Sequence, residues 1–193
     1  ARLFNSGGLF FGVNMSLIPI VIIPDSRLRQ ESALVSGVDS SIRMLMDDML
    51  ETMYDAPGIG LAAIQIGIPK RLVVIDVAKR EGEEDDEVKD PIFLVNPEII
   101  RVSDEKAVYE EGCLSIPEQY ADVKRPASVT VEWMDLEGAM QERTFTGLWA
   151  TCVQHEIDHL NGKLFIDYLG LMKRQMITRK MEKLKRERAR QGE

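Results

Sequence analysis

Residues 146–162 read TGLWATCVQHEIDHLNG and predict the helix around which the rest of the chain is arranged. The stretch opens on threonine, a residue type that begins helices, and its closing Asn-Gly pair is typical of a left-handed helix end. Inside it lie His155 and His159, the only histidines of the chain. A spacing of four residues places both imidazoles on one helix face, one turn apart, where they can bind the same metal ion.

The residue after the first histidine is a candidate general base. Glu156 lies about 100° round the helix from His155. Its carboxylate can therefore reach a metal-bound water and take a proton from it instead of binding the metal. The pattern His-Glu-x-x-His also arises by chance, and the alternative is two surface histidines beside ordinary charges. The capped, amphipathic helix favours metal binding.

A catalytic zinc-type centre needs a third protein ligand and one open position. No histidine follows His159, so the two cysteines are the strongest remaining candidates. Cys152 shares the helix face, but a metal held by both histidines lies about 7.5 Å further along the axis, too far for a short side chain. Cys113, in EGCLS at 111–115, is free of that limit. A Cys-His-His site suits zinc, iron(II), nickel or cobalt.

The composition is that of one ordinary globular domain of 193 residues, with 45% hydrophobic and 29% charged residues. Two cysteines cannot form a disulfide framework, which favours a reducing, cytoplasmic setting. The net charge of −8 argues against a protein that coats DNA or RNA with its whole surface. The tail differs: residues 171–193 hold nine Lys or Arg and three Glu, a net charge of +6, against −14 for residues 1–170.

The hydrophobic pattern predicts an α+β fold with mostly antiparallel strands. Helices are predicted at 38–55, capped by Asp39 or Ser40, and at 172–191. The apolar stripe of the first helix consists of Ile42, Leu45, Met46, Met49, Leu50 and Met53. Strands are predicted at 71–77, 92–95, 106–109, 127–134 and 140–146. The acidic run EGEEDDE at 81–87 predicts a solvated loop, and no stretch approaches the roughly 20 apolar residues of a membrane span.

Three segments, in this order, resemble peptide deformylases: GIGLAAIQ at 58–65, EGCLS at 111–115 and QHEIDHLNG at 154–162. The similarity covers the chain from Met15 to Asp167. It includes IPDSRLR at 23–29 and VKRP at 123–126. The fold it implies has antiparallel β-sheets packed around a central metal-binding helix, with a C-terminal helix.

The resemblance also implies a role for each residue of the three segments. Glu156 corresponds to the general base and acid, and Gln65 and the backbone N–H of Leu114 to the donors that stabilise an oxyanion. The implied metal ligands are Cys113, His155 and His159. The implied reaction removes the formyl group from N-formylmethionine of nascent polypeptides and releases formate. Its metal would be one divalent ion, iron(II), with zinc or nickel able to replace it.

Small and apolar residues are expected to bind the substrate. Backbone around Gly58 and Gly60 would hold the peptide in an extended form, since glycine allows close backbone approach. A pocket for the methionine side chain is expected from Ile59, Leu148 and Cys152, which by position alone are equally good core residues.

Other positions concern the surroundings of this site. Glu111 is expected to pair with Arg125 and brace the Cys113 loop, with a plain surface contact as the alternative. Pro57 stands where some family members have an acid, and Tyr120 where some have an arginine. These departures leave the preference for later substrate residues open.

The chain is expected to divide into a leader or expression remnant at 1–14, which holds no acidic residue and precedes Met15, a catalytic metallohydrolase domain at 15–170 and a basic C-terminal helix at 171–193. That helix is either a solvated surface helix or a docking element for ribosomal RNA. No DNA and no membrane partner is expected. Two rival functions remain: a zincin-like endopeptidase, which Cys113 opposes, and a catalytically silent ribosome-binding protein, which Glu156 and Cys113 oppose.

Overall fold

The computed structural model describes residues 17–78 and 89–191. Their arrangement confirms the predicted α+β class, with antiparallel sheets, a central helix and a C-terminal helix. The predicted acidic loop at 81–87 and the segment 1–14 lie outside the described residues.

Two antiparallel sheets form the framework of the described chain. The larger has the strand order β1-β2-β3-β6-β7, and the smaller is a hairpin of β4 and β5. The strands are β1 (Gly60–Ala62), β2 (Leu72–Ile75), β3 (Ile92–Val102), β4 (Lys106–Cys113), β5 (Ile116–Pro126), β6 (Ser128–Met134) and β7 (Met140–Thr146). The described α-helices are α1 (Ser40–Asp55), α2 (Gly147–Leu160) and α3 (Leu171–Gln191).

Strand β2 is apolar at every position because helices cover both faces of its sheet. Leu72 and Val74 pack with the buried methionines of α1, whereas Val73 and Ile75 pack with apolar residues of α2. A strand covered on both faces reads as a continuous hydrophobic run instead of an alternating one. The sheet therefore forms the middle layer between α1 and α2.

Helix α2 follows β7 directly and lies between the larger sheet and the hairpin. Thr146 is its N-cap residue, but the side chain makes no capping hydrogen bond, which corrects the expected cap. The C-terminal end is the predicted left-handed one: Gly162 has a φ of 68°. A Cβ there would lie 2.5 Å from the backbone oxygen of Arg29, so both the positive φ and the close backbone approach require glycine.

The hairpin is longer than the sequence predicts. The strand expected at 106–109 continues to Cys113, and β5 was not predicted at all. The alternation of polar and apolar residues that would predict β5 is weak in the sequence. The segment contains prolines at 117 and 126 with mostly polar residues between them, and proline is usual only in edge strands and at strand ends. Its pairing of Cys113 with Ile116 places Cys113 beside the tight turn.

Helix α3 lies on the hairpin side of the molecule. Ile177 and Met181 are buried in the same apolar cluster as Ile116 and Val123 of β5. Most other side chains of α3 are exposed, in keeping with its predicted charge all round. No helix among the described residues is long and apolar enough to span a membrane.

The buried methionines of α1 should carry much of its packing energy. Met49 is fully buried, whereas Met44 is 58% exposed on the same helix. We expect Met49→Ala to lower the free energy of unfolding by about 2–5 kcal/mol, because it leaves a cavity. Met44→Ala should change it by no more than about 0.5 kcal/mol. Urea unfolding of both variants measures this, and equal losses would show that the buried stripe does not anchor α1.

Candidate metal centre and active site

One strand end and one helix face bring together three metal-binding side chains. Cys113 closes β4 at the hairpin turn, and His155 and His159 project from α2 toward it. The Cys113 Sγ lies 3.2 Å from His159 Nε2, which in turn lies 3.2 Å from His155 Nε2. These are the residues that the spacing and the resemblance select from the sequence.

The three donors fit a divalent metal ion. All three ligand atoms lie within 4.8 Å of one another, and both histidines are buried. Zinc holds sulfur at about 2.3 Å and nitrogen at about 2.0–2.1 Å, so donors about 3–4 Å apart can share one tetrahedral ion. Three protein ligands leave the fourth position open for a small molecule.

The second cysteine lies outside this cluster. The Cys152 Sγ lies 3.5 Å from the backbone oxygen of Ile59, beside strand β1. Its side chain is buried, and it is not among the three residues that could hold an ion together. This placement agrees with the axial distance along α2 that separates Cys152 from the histidine pair.

Glu111 orients the first histidine. Its Oε2 lies 2.8 Å from His155 Nδ1, which leaves His155 Nε2 facing the cluster. The predicted Glu111–Arg125 pair is present and buried: Arg125 Nε and Nη2 donate to the two carboxylate oxygens at 2.5 and 3.0 Å. A carboxylate behind a ligating histidine fixes the ring and its tautomer. The sequence indicates the Arg125 pair but not this contact with His155.

Burial and neighbouring charges give the two histidines opposite pKa shifts. Burial alone lowers the pKa of His155, but hydrogen bonds with Cys113 and Glu111 outweigh it and raise the pKa above the ordinary value. Burial and the charge of His155 both lower the pKa of His159. His159 is therefore neutral, the state in which an imidazole binds a metal.

Glu156 is a buried carboxyl group at the wall of the site. Burial raises its pKa to about 7, and the nearby Glu111 charge adds to this shift. Its Oε2 has no hydrogen-bond partner among the described residues. Gly60 makes room for it, since a Cβ there would collide with the Glu156 carboxylate and lie 2.8 Å from Cys152 Sγ. A carboxyl group with such a pKa can exchange protons near neutral pH.

Gln65 is held with its NH₂ group toward the site. The backbone N–H of Ala62 donates to Gln65 Oε1 at 2.8 Å, which fixes the orientation of the amide. The Nε2 group then lies 3.6 Å from Cys113 Sγ and 3.2 Å from Ser115 Oγ. Leu114, the residue expected to offer its backbone N–H, occupies the hairpin turn next to Cys113.

Most of these groups line one cavity of about 600 Å³: Cys113, His155, Glu156, Gln65 and Leu114. The predicted substrate-binding residues all line it: Gly58, Ile59, Gly60, Leu148 and Cys152. Sequence reasoning missed Tyr109 and Thr151, which line it as well. The alternation of buried and exposed side chains along β4 indicates which way Tyr109 points, but only when the pairing of β4 with β5 is known. Pro57 and Tyr120, where the chain departs from some relatives, also line the cavity.

Comparisons with known proteins point to one family. The family profile described as polypeptide deformylase matches residues 17–175. The peptide deformylase of Rhizobium meliloti is 60% identical over 88% of this chain and 94% of its own length. That of Agrobacterium fabrum is 58% identical over 89% of this chain and 98% of its own length.

Solved structures agree with the sequence comparisons. The peptide deformylase from Legionella pneumophila is 46% identical, with a TM-score of 0.81 over 91% of this chain and 99% of that one. The enzyme from Ehrlichia chaffeensis in complex with actinonin is 42% identical, with a TM-score of 0.83 over 89% of this chain and 99% of that one.

The two cysteines offer a matched test of the metal centre. We expect Cys113→Ala to lose bound metal on dialysis, because it removes one of three ligands, whereas Cys152→Ala should keep it. Elemental analysis of the dialysed proteins measures the metal. Cobalt-loaded protein gives a second readout, since its thiolate charge-transfer absorption should vanish in Cys113→Ala only. Equal retention of metal by both variants would exclude Cys113 as a ligand.

Proposed function

Because this chain belongs to the peptide deformylase family, we propose how its own residues carry out deformylation. The chain is a metallohydrolase that removes the formyl group from N-formylmethionine of nascent peptides. The observation that supports the proposed residue roles most strongly is the Cys113–His155–His159 cluster with the Glu156 carboxyl beside it.

Cys113, His155 and His159 are the proposed ligands of one divalent ion, iron(II), with zinc or nickel able to take its place. The resemblance supports iron(II), and the mixed sulfur and nitrogen donor set suits all three metals. When bound, the ion would lower the pKa of a water molecule and withdraw charge from the formyl oxygen.

Glu156 acts as the base and then as the acid. It takes a proton from the attacking water and delivers it to the nitrogen that leaves when the formyl C–N bond breaks. Its buried position beside Gly60 supports this role, because the missing Cβ lets substrate backbone and carboxylate come close.

Gln65 and the backbone N–H of Leu114 stabilise the negative oxygen that develops on the formyl group. The Gln65 amide is already oriented by Ala62, so no reorganisation is needed when the charge appears. Removing one such donor typically costs about 3–4 kcal/mol of transition-state stabilisation.

The substrate peptide lies along β1. This strand is at one edge of the larger sheet, so an extended peptide can pair with its free side. Gly58 and Gly60 then approach the peptide backbone. The methionine side chain enters the apolar part of the cavity, which is lined by Ile59, Leu148 and Cys152.

The rest of the chain has proposed roles outside the chemistry. Residues 15–170 form the proposed catalytic domain, and residues 171–193 dock on ribosomal RNA. The exposed basic side chains of α3 support docking, because they remain accessible to phosphate groups while Ile177 and Met181 anchor the helix to the hairpin. With such a substrate and partner, the proposed location of the enzyme is the cytoplasm, where nascent chains emerge.

Replacing the proposed base tests the mechanism. We expect Glu156→Gln to retain its metal and to lower kcat for formate release from a formyl-Met peptide by about 10²-fold or more, the usual contribution of a general base. Glu98→Gln, which neutralises an exposed carboxylate of β3, is the matched control and should match the wild type.

Formate is measured by a coupled dehydrogenase assay under anaerobic conditions. Full activity of metal-loaded Glu156→Gln would contradict the assigned base. Cleavage of unformylated internal peptide bonds by the wild type would favour the endopeptidase reading instead.

The docking proposal makes a separate prediction. Glutamine at four exposed basic positions of α3, Arg179, Lys183, Arg186 and Arg190, should abolish cosedimentation with ribosomes while formate release is unchanged. Wild-type binding should weaken steeply between about 50 and 200 mM salt, because it displaces counterions. A control with glutamine at Lys70, Lys106, Lys124 and Lys163 should still bind. Equal, salt-insensitive binding by both variants would disprove docking through α3.

A further inference from the structure

We propose that Tyr168 is a positioning residue that holds the metal-ligating His155 in place through Asp158, Arg125 and Glu111. This inference rests on the proposed metal centre. None of these four residues is a proposed metal ligand, and Tyr168 and Asp158 were not singled out by the sequence.

The chain of contacts is continuous from the surface to the metal site. The Tyr168 hydroxyl donates to Asp158 Oδ2 at 2.8 Å, and Arg125 Nη1 donates to the same oxygen at 2.7 Å. The other two donor groups of Arg125 hold both oxygens of Glu111, and Glu111 Oε2 meets His155 Nδ1. Every link lies within hydrogen-bonding distance, and all but the short Arg125 Nε–Glu111 contact fall in the usual range.

Tyr168 makes two different contacts with this network. Besides its hydroxyl, its ring lies under the Arg125 guanidinium, 4.6 Å from ring centroid to Cζ. The ring therefore covers the Arg125–Asp158 pair on its outer side. An ion pair shielded from water is stronger than an exposed one, and a cation over an aromatic face gains further stabilisation.

The segment that carries Tyr168 is itself anchored. Residues Phe165–Tyr168 form a short 3-10 helix between α2 and α3. Asp167 in this segment pairs with Arg29 and Arg174, and its carboxylate also accepts the backbone N–H of Leu164. A fixed segment can restrain a neighbouring network, whereas a loose one could not.

The same segment reaches His155 by a second route. The ring of Phe165 stacks on the His155 imidazole, with centroids 6.2 Å apart and an angle of 24° between the planes. One contact thus supports the face of the His155 ring, and the hydrogen-bonded network fixes its Nδ1 edge. Together they leave the ring little freedom to turn its Nε2 atom away from the metal.

This position allows an effect on the metal without an effect on substrate binding. Tyr168, Asp158 and Arg125 do not line the cavity that takes the peptide. Loss of the Tyr168 contacts should therefore speed metal release and lower kcat per bound metal, while KM for the peptide stays the same. A purely structural role would change neither the metal release rate nor kcat below the unfolding transition.

The test compares metal release from Tyr168→Phe and Tyr168→Leu. Phenylalanine keeps the ring under Arg125 and loses the hydroxyl, whereas leucine loses both contacts. Partners behind metal ligands typically contribute about 10–100-fold to metal affinity or activity, and Tyr168 lies one layer further out. We expect zinc release to a chelator to be about 3-fold faster in the phenylalanine variant and about 10-fold faster in the leucine variant.

Tyr54 provides a matched control elsewhere in the fold. Its hydroxyl donates to the buried Asp76 at 2.6 Å, so Tyr54→Phe and Tyr54→Leu remove a similar hydrogen bond and ring on α1, outside the network of Tyr168, Asp158, Arg125 and Glu111. Neither should speed zinc release. Wild-type release rates in both Tyr168 variants, or equal acceleration in the Tyr54 variants, would overturn the proposal.

The experiment separates this inference from the function on which it rests. Zinc release needs no substrate, so it is read even if formate release fails. A wild type that binds zinc but releases no formate contradicts the function alone. A rise in KM with unchanged zinc release would place Tyr168 in substrate binding and would overturn the positioning role.

Discussion

The site depends on one constraint: a thiol from a hairpin turn and two imidazoles from a helix meet within about hydrogen-bond distance of each other. Three electron-pair donors so close together are favourable only with a shared cation or proton among them. To hold them there, α2 must be fixed on both sides, by the larger sheet at Val153, Ile157 and Leu160 and by the hairpin at Cys113. Much of the fold serves to position α2 in this way.

Charge behind the ligands completes the arrangement. Arg125 is buried between two carboxylates, Glu111 and Asp158, and taking such charges out of water is costly. The cost is offset because Arg125 uses three of its donor groups on them, and because Glu111 also holds His155. The ion pairs of Arg125 therefore contribute more to the orientation of His155 than to the stability of the fold.

The sequence predicts most of what is local. The periodic stripe of α1, the two histidines of α2 and the left-handed end at Gly162 all follow from patterns within one turn or one helix. What it could not predict depends on distant partners. Strand β5 is visible only through its pairing with β4, and the three-residue β1 is too short to show a period. The hydrogen bond from Tyr168 to Asp158 joins two different elements, and no local sequence pattern predicts that contact.

X-ray absorption of the zinc-loaded protein tests the central claim most directly. We predict one sulfur ligand at about 2.3 Å and two imidazole nitrogens at about 2.0–2.1 Å. The sulfur signal should disappear in Cys113→Ala and persist in Cys152→Ala. A coordination shell without sulfur, or one whose sulfur is lost only with Cys152, would contradict the proposed site.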